Sequence, residues 1–275
     1  MAKTVSDVKM FWENNPLWSG ESVYSPGTRK FFEEHRSVYI SDCFAGSFDQ
    51  RFIPSEENRD RVLDLGCGIG FWVVELSLRG CRHIVAADLT EIALALTRQR
   101  SAIYGVSAEY SQQNAETMTF ADHTFSHVNC QGVIHHTPDT GACVAEIARV
   151  LEKKGTATIS VYHQNIFLRL WPVFKGLGRM MHLAGGGLKG RGRDGIFAVS
   201  NPNEIVRLYD GADNPIGKAY TTKQFRDMLE LHFSIEEMYF HFFPARALPF
   251  SIPQFLHRFL DKNFGFMIYA NVRKK

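Results

Sequence analysis

The sequence predicts an α/β protein built on a doubly wound, mostly parallel sheet with helices on both faces. From residue 61 onward, short β-branched or apolar runs alternate with helical segments at a spacing that calls for right-handed crossovers. The first run, Val62-Leu63-Asp64-Leu65, is nearly continuous in apolar character, as in a strand covered on both faces. It passes directly into Gly66-Cys67-Gly68-Ile69-Gly70, where three glycines at alternate positions let the backbone turn sharply and a ligand approach without meeting Cβ atoms.

Residues 1–58 read as an N-terminal helical cap. Val8, Phe11 and Trp12 fall on helical spacing, Pro16 ends that turn, and a second helix runs through Phe31, Phe32, His35 and Val38. The core spans 59–162, with strands over 61–65, 83–88, 108–111, 126–130 and 156–162. Helices over 70–79, 91–104 and 140–151 separate them. Residues 163–220 interrupt the alternation as an inserted lid. Their first part mixes Ile166, Phe167, Leu168 and Trp171 with six basic residues (Arg169, Lys175, Arg179, Lys189, Arg191, Arg193) against the single acid Asp194 up to residue 195. The glycines from Gly185 to Gly195 disfavour a regular element, so a long irregular insertion is expected. The core resumes over 221–275 with a helix at 222–232 capped by Thr221 and strands at 234–243 and 264–272. The last two form an antiparallel pair across an apolar excursion at 244–263 that carries a short helix at 254–260.

Composition narrows the function. A net charge of +2 over 275 residues is too mild for a nucleic-acid binder on its own. Five scattered cysteines without C-x-x-C spacing indicate neither a disulfide framework nor a zinc cluster, and no metal is expected. No stretch offers 18 uncharged apolar residues. The expectation is a reduced, cytoplasmic protein that touches a membrane surface, if at all, through 163–193.

A glycine loop between strand and helix suits several ligands. The absence of Gly-Lys-Ser/Thr argues against a triphosphate-binding loop. Asp88 closes the second strand eighteen positions after Gly70, where a carboxylate accepts hydrogen bonds from both hydroxyls of a ribose; any adenosine-bearing cofactor fits this arrangement.

Further blocks single out one family. Asn114-Ala115-Glu116, the run from Phe120 to Val128, Gly132-Val133-Ile134-His135-His136, and the run from Glu146 to Gly155 resemble, in order and separation, the class I S-adenosylmethionine-dependent methyltransferases. That family's first loop reads D-x-G-x-G-x-G, here Asp64 to Gly70. The resemblance covers 61–162 closely and 221–274 in topology, and it implies a Rossmann-like, seven-stranded sheet with an antiparallel final strand. It also implies S-adenosylmethionine as cofactor and S-adenosylhomocysteine as product. Position by position, it assigns Gly66, Cys67, Gly68 and Gly70 to the loop around the cofactor's amino-acid end, with Asp64 orienting the ammonium. Asp88 takes the ribose, Leu89 one face of adenine, and Asn114 with Ala115 the adenine edge, where many relatives carry Asp instead of Asn. Gln131 and Gly132 sit where the fourth strand opens over the methyl group. His135 and His136 follow on that loop as candidate proton acceptors or substrate ligands.

The acceptor is less defined. The chain lacks both an Asn/Asp-Pro-Pro-Tyr/Phe block after the fourth strand and a Pro-Cys dipeptide, which argues against nucleic acid and favours a small molecule. Aromatic residues in the cap and insertion, foremost Phe11, Trp12, Phe167 and Trp171, point to an apolar or aromatic acceptor. Two alternatives stand beside it: an isoprenoid or quinone-like precursor taken from a membrane surface, and a cofactor-binding protein that transfers no methyl group.

Overall fold

The computed structural model describes residues 2–186, 191 and 193–275. Of the glycine-rich patch, Gly187, Lys189, Gly190 and Gly192 lie outside the described residues.

Seven strands lie on one path in the order β3-β2-β1-β4-β5-β8-β7. These are β1 (Arg61–Leu65), β2 (His83–Asp88), β3 (Glu109–Gln112), β4 (Phe125–Gln131), β5 (Leu151–His163), β7 (Phe233–His241) and β8 (Met267–Lys274). The two-residue β6 (Ala219–Tyr220) adds an eighth strand beside the end of β5. β1 through β5 pair in parallel, and β8 runs antiparallel to both β5 and β7. Alternate side chains of each strand feed two apolar layers. Leu63 and Leu65 face the helices α5 (Thr140–Val150) and α9 (Thr222–Leu229), whereas Val62 faces Phe52 and Trp72.

Register builds the site. Leu65 pairs with Ala87, so the loop leaving β1 emerges beside Asp88 at the end of β2. Asp64 pairs with Asn129, and Gln131 pairs with Ser160, which brings the ends of β4 and β5 to the same edge. Helices α3 (Phe71–Ser77) and α4 (Glu91–Tyr104) follow the first two strands. Gly70, at φ +75°, begins α3. A Cβ there would stand 2.9 Å from the Thr97 methyl of α4, so the close approach of these helices requires glycine.

The N-terminal cap folds over this edge. Helix α1 (Val5–Asn14) is started by a reciprocal Thr4–Asp7 capping box. At its other end the Glu13 carboxylate accepts the N–H groups of Glu91 and Ile92, both at 3.1 Å, where the positive end of α4 favours an anion. Helix α2 (Arg29–Cys43) buries Phe31, Phe32 and His35 and reaches the core through Arg36, which donates to the fully buried Glu75 at 2.6 Å.

The inserted segment departs from the irregular loop expected of it. It holds α6 (Ile166–Arg169), α7 (Trp171–Leu183) and α8 (Pro202–Asp210). Asn165 and Asn201 cap α6 and α8 with their side-chain oxygens, and Pro172 and Pro202 occupy first-turn positions, where a missing N–H costs nothing. Gly176 and Gly178 lower the helix propensity of α7, yet packing carries it. Arg191 ties the insertion to the cap by donating to the carbonyls of Asn15, Pro16 and Ser19 at 3.2, 2.7 and 3.3 Å, and to that of Asp210 at 3.2 Å. Helix α10 (Gln254–Phe264) is longer than expected. Its Asp261 bonds to His241 of β7 at 2.6 Å, and the same imidazole reaches Asp49 at 3.0 Å.

Candidate active site

Among the described residues, two cavities stand at the carboxyl edge of the sheet. The first is a cleft floored by the loops after β1 to β4 and roofed by α1 and the residues that follow it. Gly66, Gly68, Asp88, Leu89, Asn114 and Ala115 line the floor, Gln131, Gly132 and His136 the far wall, and Val8, Trp12 and Leu17 the roof. The second, of about 330 Å³, lies within the inserted helices and is lined almost entirely by apolar groups, among them Tyr162, Phe167, Trp171, Phe174, Tyr209 and Phe242.

Gly66 has φ +74°, and a Cβ there would fall 2.2 Å from the Val133 side chain on the facing wall. The N–H groups of Gly66 and Cys67 both donate to the Ala87 carbonyl, at 2.7 and 2.9 Å, and that of Gly70 donates to Cys67. Gly68 N–H donates to Asp88 Oδ2 at 3.0 Å. These amides are thus spent inside the loop, and what the glycines offer a ligand is close approach. Cys67 turns inward, its thiol 3.5 Å from the Thr97 hydroxyl.

Asp88 also accepts from the backbone and the hydroxyl of Thr90, at 3.0 and 2.9 Å, both on Oδ1. Burial raises its pKa from the ordinary carboxylate value. A carboxylate offers about four acceptor positions and three are taken, so one remains for a hydroxyl donor from the cleft. Asn114 folds into its own turn, accepting from Glu116 N–H at 3.1 Å and donating to Thr117 at 3.2 Å. That leaves one amide proton and one oxygen lone pair for a ligand edge.

A polar chain crosses the sheet behind the cleft. Gln131 donates to Asn129 Oδ1 and Asn129 donates to Asp64 Oδ1, each at 2.7 Å. Burial pushes the Asp64 carboxyl up to about 7. Gln131 Oε1 and Asp64 Oδ2 remain as buried acceptors without a hydrogen-bond partner among the described residues.

The two histidines diverge. His136 stands on the cleft wall, edge-on to Trp12 at 5.2 Å. Its Nδ1 donates to the Ile216 carbonyl at 2.8 Å, and its Nε2 lies 3.4 Å from Asp210 Oδ2. His135 is buried behind it against the Tyr162 ring, with centroids 4.4 Å apart, on the wall of neither cavity; burial drives its pKa well below the ordinary imidazole value. Of the aromatic candidates, Trp12 lines the cleft, Phe167 and Trp171 line the apolar cavity, and Phe11 is buried against Trp12 and Gly211 outside both. Thr90, Asn129, Tyr162 and Asp210 were not singled out from the sequence. Asn129 and Thr90 flank residues that were, whereas Asp210 carries no local signal.

Residues 63–159 match the methyltransferase domain family. That match runs from β1 into β5, about a third of the chain. A ubiquinone biosynthesis O-methyltransferase of Hahella chejuensis is 32% identical over 106 residues, covering 38% of this chain and 44% of that protein. This chain spans about half the length of the curated relatives it matches. A crystal structure of a methyltransferase from Methanosarcina mazei overlays with a TM-score of 0.53 at 18% identity, covering 80% of this chain and 94% of that one. That of the [4+2]-cyclase SpnF overlays with a TM-score of 0.55 at 12% identity, covering 99% and 97%. These overlays show the fold.

The cofactor of a class I methyltransferase is S-adenosylmethionine, and the cleft suits it. The unpartnered Gln131 oxygen on the cleft wall is an acceptor that a cationic ammonium satisfies, with Asp64 buried behind it, Asp88 retains acceptor capacity for a ribose hydroxyl, and Leu89 with Ala115 presents apolar surface for a flat base.

Proposed function

We propose that this protein transfers the methyl group of S-adenosylmethionine directly to a small, apolar acceptor seated in the cavity of the inserted helices. The single observation that carries this reading is the placement of the two cavities on either side of His136 and Tyr162. One is built for a polar adenosine-bearing ligand and the other is almost purely apolar.

When bound, the cofactor supplies an electrophilic methyl group on a sulfonium. The protein's task is then alignment and exclusion of water, effects worth up to roughly 7–11 kcal/mol. Gln131, braced through Asn129 by Asp64, holds the amino-acid end, Asp88 fixes the ribose, Trp12 and Leu17 close the cleft from solvent, and Phe167 and Trp171 hold the acceptor.

A second reading, an amphiphilic acceptor drawn from a lipid surface, has its own support. Val173, Leu177, Met180 and Leu183 are exposed along α7 with the basic Arg179, as are Arg169 and Leu170 just before it, and Phe255 and Phe259 are exposed on α10. The two helices meet through Phe167 of α6, whose ring lies 5.6 Å from Phe264 of α10 and 5.3 Å from Phe174 of α7. Among the described residues no helix is long and apolar enough to cross a membrane.

Incubation with methyl-labelled cofactor and fractionated cell extract tests both readings. Label is expected in a small product that partitions into organic solvent. Label confined to protein or nucleic acid, or no transfer from a protein that binds the cofactor, contradicts the proposal; a product recovered only with phospholipid favours the lipid-surface reading.

A further inference from the structure

The wall between the two cavities is a chain of polar side chains contributed by three separate parts of the fold. Tyr162, near the end of β5, places its hydroxyl 3.0 and 2.9 Å from the two carboxylate oxygens of Asp210, the last residue of α8. Asp210 Oδ2 in turn lies 3.4 Å from His136 Nε2. The Tyr162 ring lines the apolar cavity, and the His136 ring lines the cofactor cleft. Because Tyr162 gives its one proton to Asp210, its oxygen has only lone pairs left to offer a neighbour. A group reaching that oxygen from the acceptor cavity must therefore donate.

Resting on the methyl-transfer reading above, we propose that Tyr162 and Asp210 form the proton-accepting pair of the reaction and select an acceptor whose nucleophile is a hydroxyl carried on an apolar body. As the acceptor oxygen bonds to the methyl carbon, the carbon–sulfur bond breaks with its electron pair going to sulfur. The O–H proton passes to the Tyr162 oxygen while Tyr162's own proton passes to Asp210. A cationic sulfonium and a carboxylate become a neutral thioether and a carboxylic acid, so charge balances with no further reactant.

The surroundings favour this direction. Burial raises the Asp210 carboxyl, which makes it a more willing proton acceptor, and holds the Tyr162 phenol well above its ordinary range, so that Tyr162 relays a proton and does not lose one to solvent. The titratable and charged groups facing Asp210 are His136 from the turn after β4 and Arg191 and Arg193 from the inserted segment, and they oppose the rise. Tyr162 comes from β5. The net direction is upward.

The test compares 4-octylphenol with octylbenzene, which share a tail and differ by one hydroxyl, as ligands of the protein saturated with S-adenosylhomocysteine. Calorimetry is expected to show the phenol binding about tenfold more tightly to the wild type, and Tyr162→Phe is expected to erase that preference while keeping the octylbenzene affinity. With 4-octylphenol as methyl acceptor, Asp210→Asn retains an oxygen for the Tyr162 hydroxyl but takes no proton. Its kcat is expected to fall at least about 100-fold, with KM within about threefold of wild type. Equal affinity of the wild type for the two ligands, a preference that survives Tyr162→Phe, or an Asp210→Asn variant with wild-type kcat overturns the assignment. Labelled product from extract that is methylated on nitrogen or carbon defeats the pair but leaves methyl transfer standing. A phenol preference in a protein that transfers no label defeats the methyl-transfer reading and, with it, the catalytic role of the pair.

Discussion

Replacing Asp88 with alanine is expected to raise the dissociation constant for S-adenosylhomocysteine by at least about tenfold, because a hydrogen bond from a ribose hydroxyl to a charged acceptor is worth about 1.5–3 kcal/mol and every 1.4 kcal/mol is tenfold. The substitution also strips Gly68 N–H and both Thr90 donors of their partner, so the glycine loop loses an anchor at the same stroke. Titration calorimetry reads the affinity, and a thermal melt read alongside separates loss of ligand contact from loss of fold. An Asp88→Ala protein that melts normally and binds with wild-type affinity removes the ribose assignment.

The second large effect is expected at Gly66. An alanine there must adopt φ +74° and drive its Cβ to 2.2 Å from one Val133 methyl and 2.9 Å from the other. The left-handed backbone costs about 1–2 kcal/mol and the displacement of a stiff β-branched neighbour about 1–3 kcal/mol. Val133 belongs to the cleft wall, so its displacement also narrows the space opposite the loop. The Gly66→Ala protein is therefore expected to lose about 2–5 kcal/mol of stability and at least about thirtyfold in S-adenosylhomocysteine affinity. Gly105 supplies the control: its φ is +68°, but a Cβ would meet nothing within 4 Å, at a helix end remote from the cleft. Gly105→Ala should show the backbone cost alone with unchanged affinity. Equal affinities of the two variants would mean that the Gly66–Val133 approach does not shape the cleft.

What was legible from the sequence was what local chemistry encodes. The bounds of β1, β2 and α4 coincide with the expected ones because their patterns are unbroken and their ends are marked by a glycine, an acid and a helix-capping glycine. Gly66, Gly68, Asp88, Leu89, Asn114, Ala115 and Gln131 converge on one cleft because each sits at the carboxyl end of a parallel strand, where the topology gathers ligand-binding groups.

The rest was out of reach for physical reasons. Glycines and a proline in α7 mask a helix that tertiary packing stabilises. The roof formed by Trp12 and Leu17 depends on Arg191, more than 170 positions along the chain, gripping the carbonyls of Asn15, Pro16 and Ser19. Adjacent histidines look equivalent in sequence, yet the short turn that holds them points His136 at the cleft and buries His135 behind it. The partnership of Tyr162 with Asp210 spans 48 positions and has no sequence signature at all.

On the proposed reading, the cofactor lies in the cleft with its sulfur end at the wall shared with the apolar cavity. A crystal structure of the protein with S-adenosylhomocysteine tests it most directly. The expected result has a ribose hydroxyl on Asp88, the adenine between Leu89 and Ala115, the ammonium within hydrogen-bonding distance of Gln131 Oε1, and the thioether sulfur facing His136 and Tyr162. A ribose bound away from Asp88, or a sulfur directed away from the Tyr162–Asp210–His136 wall, would contradict it.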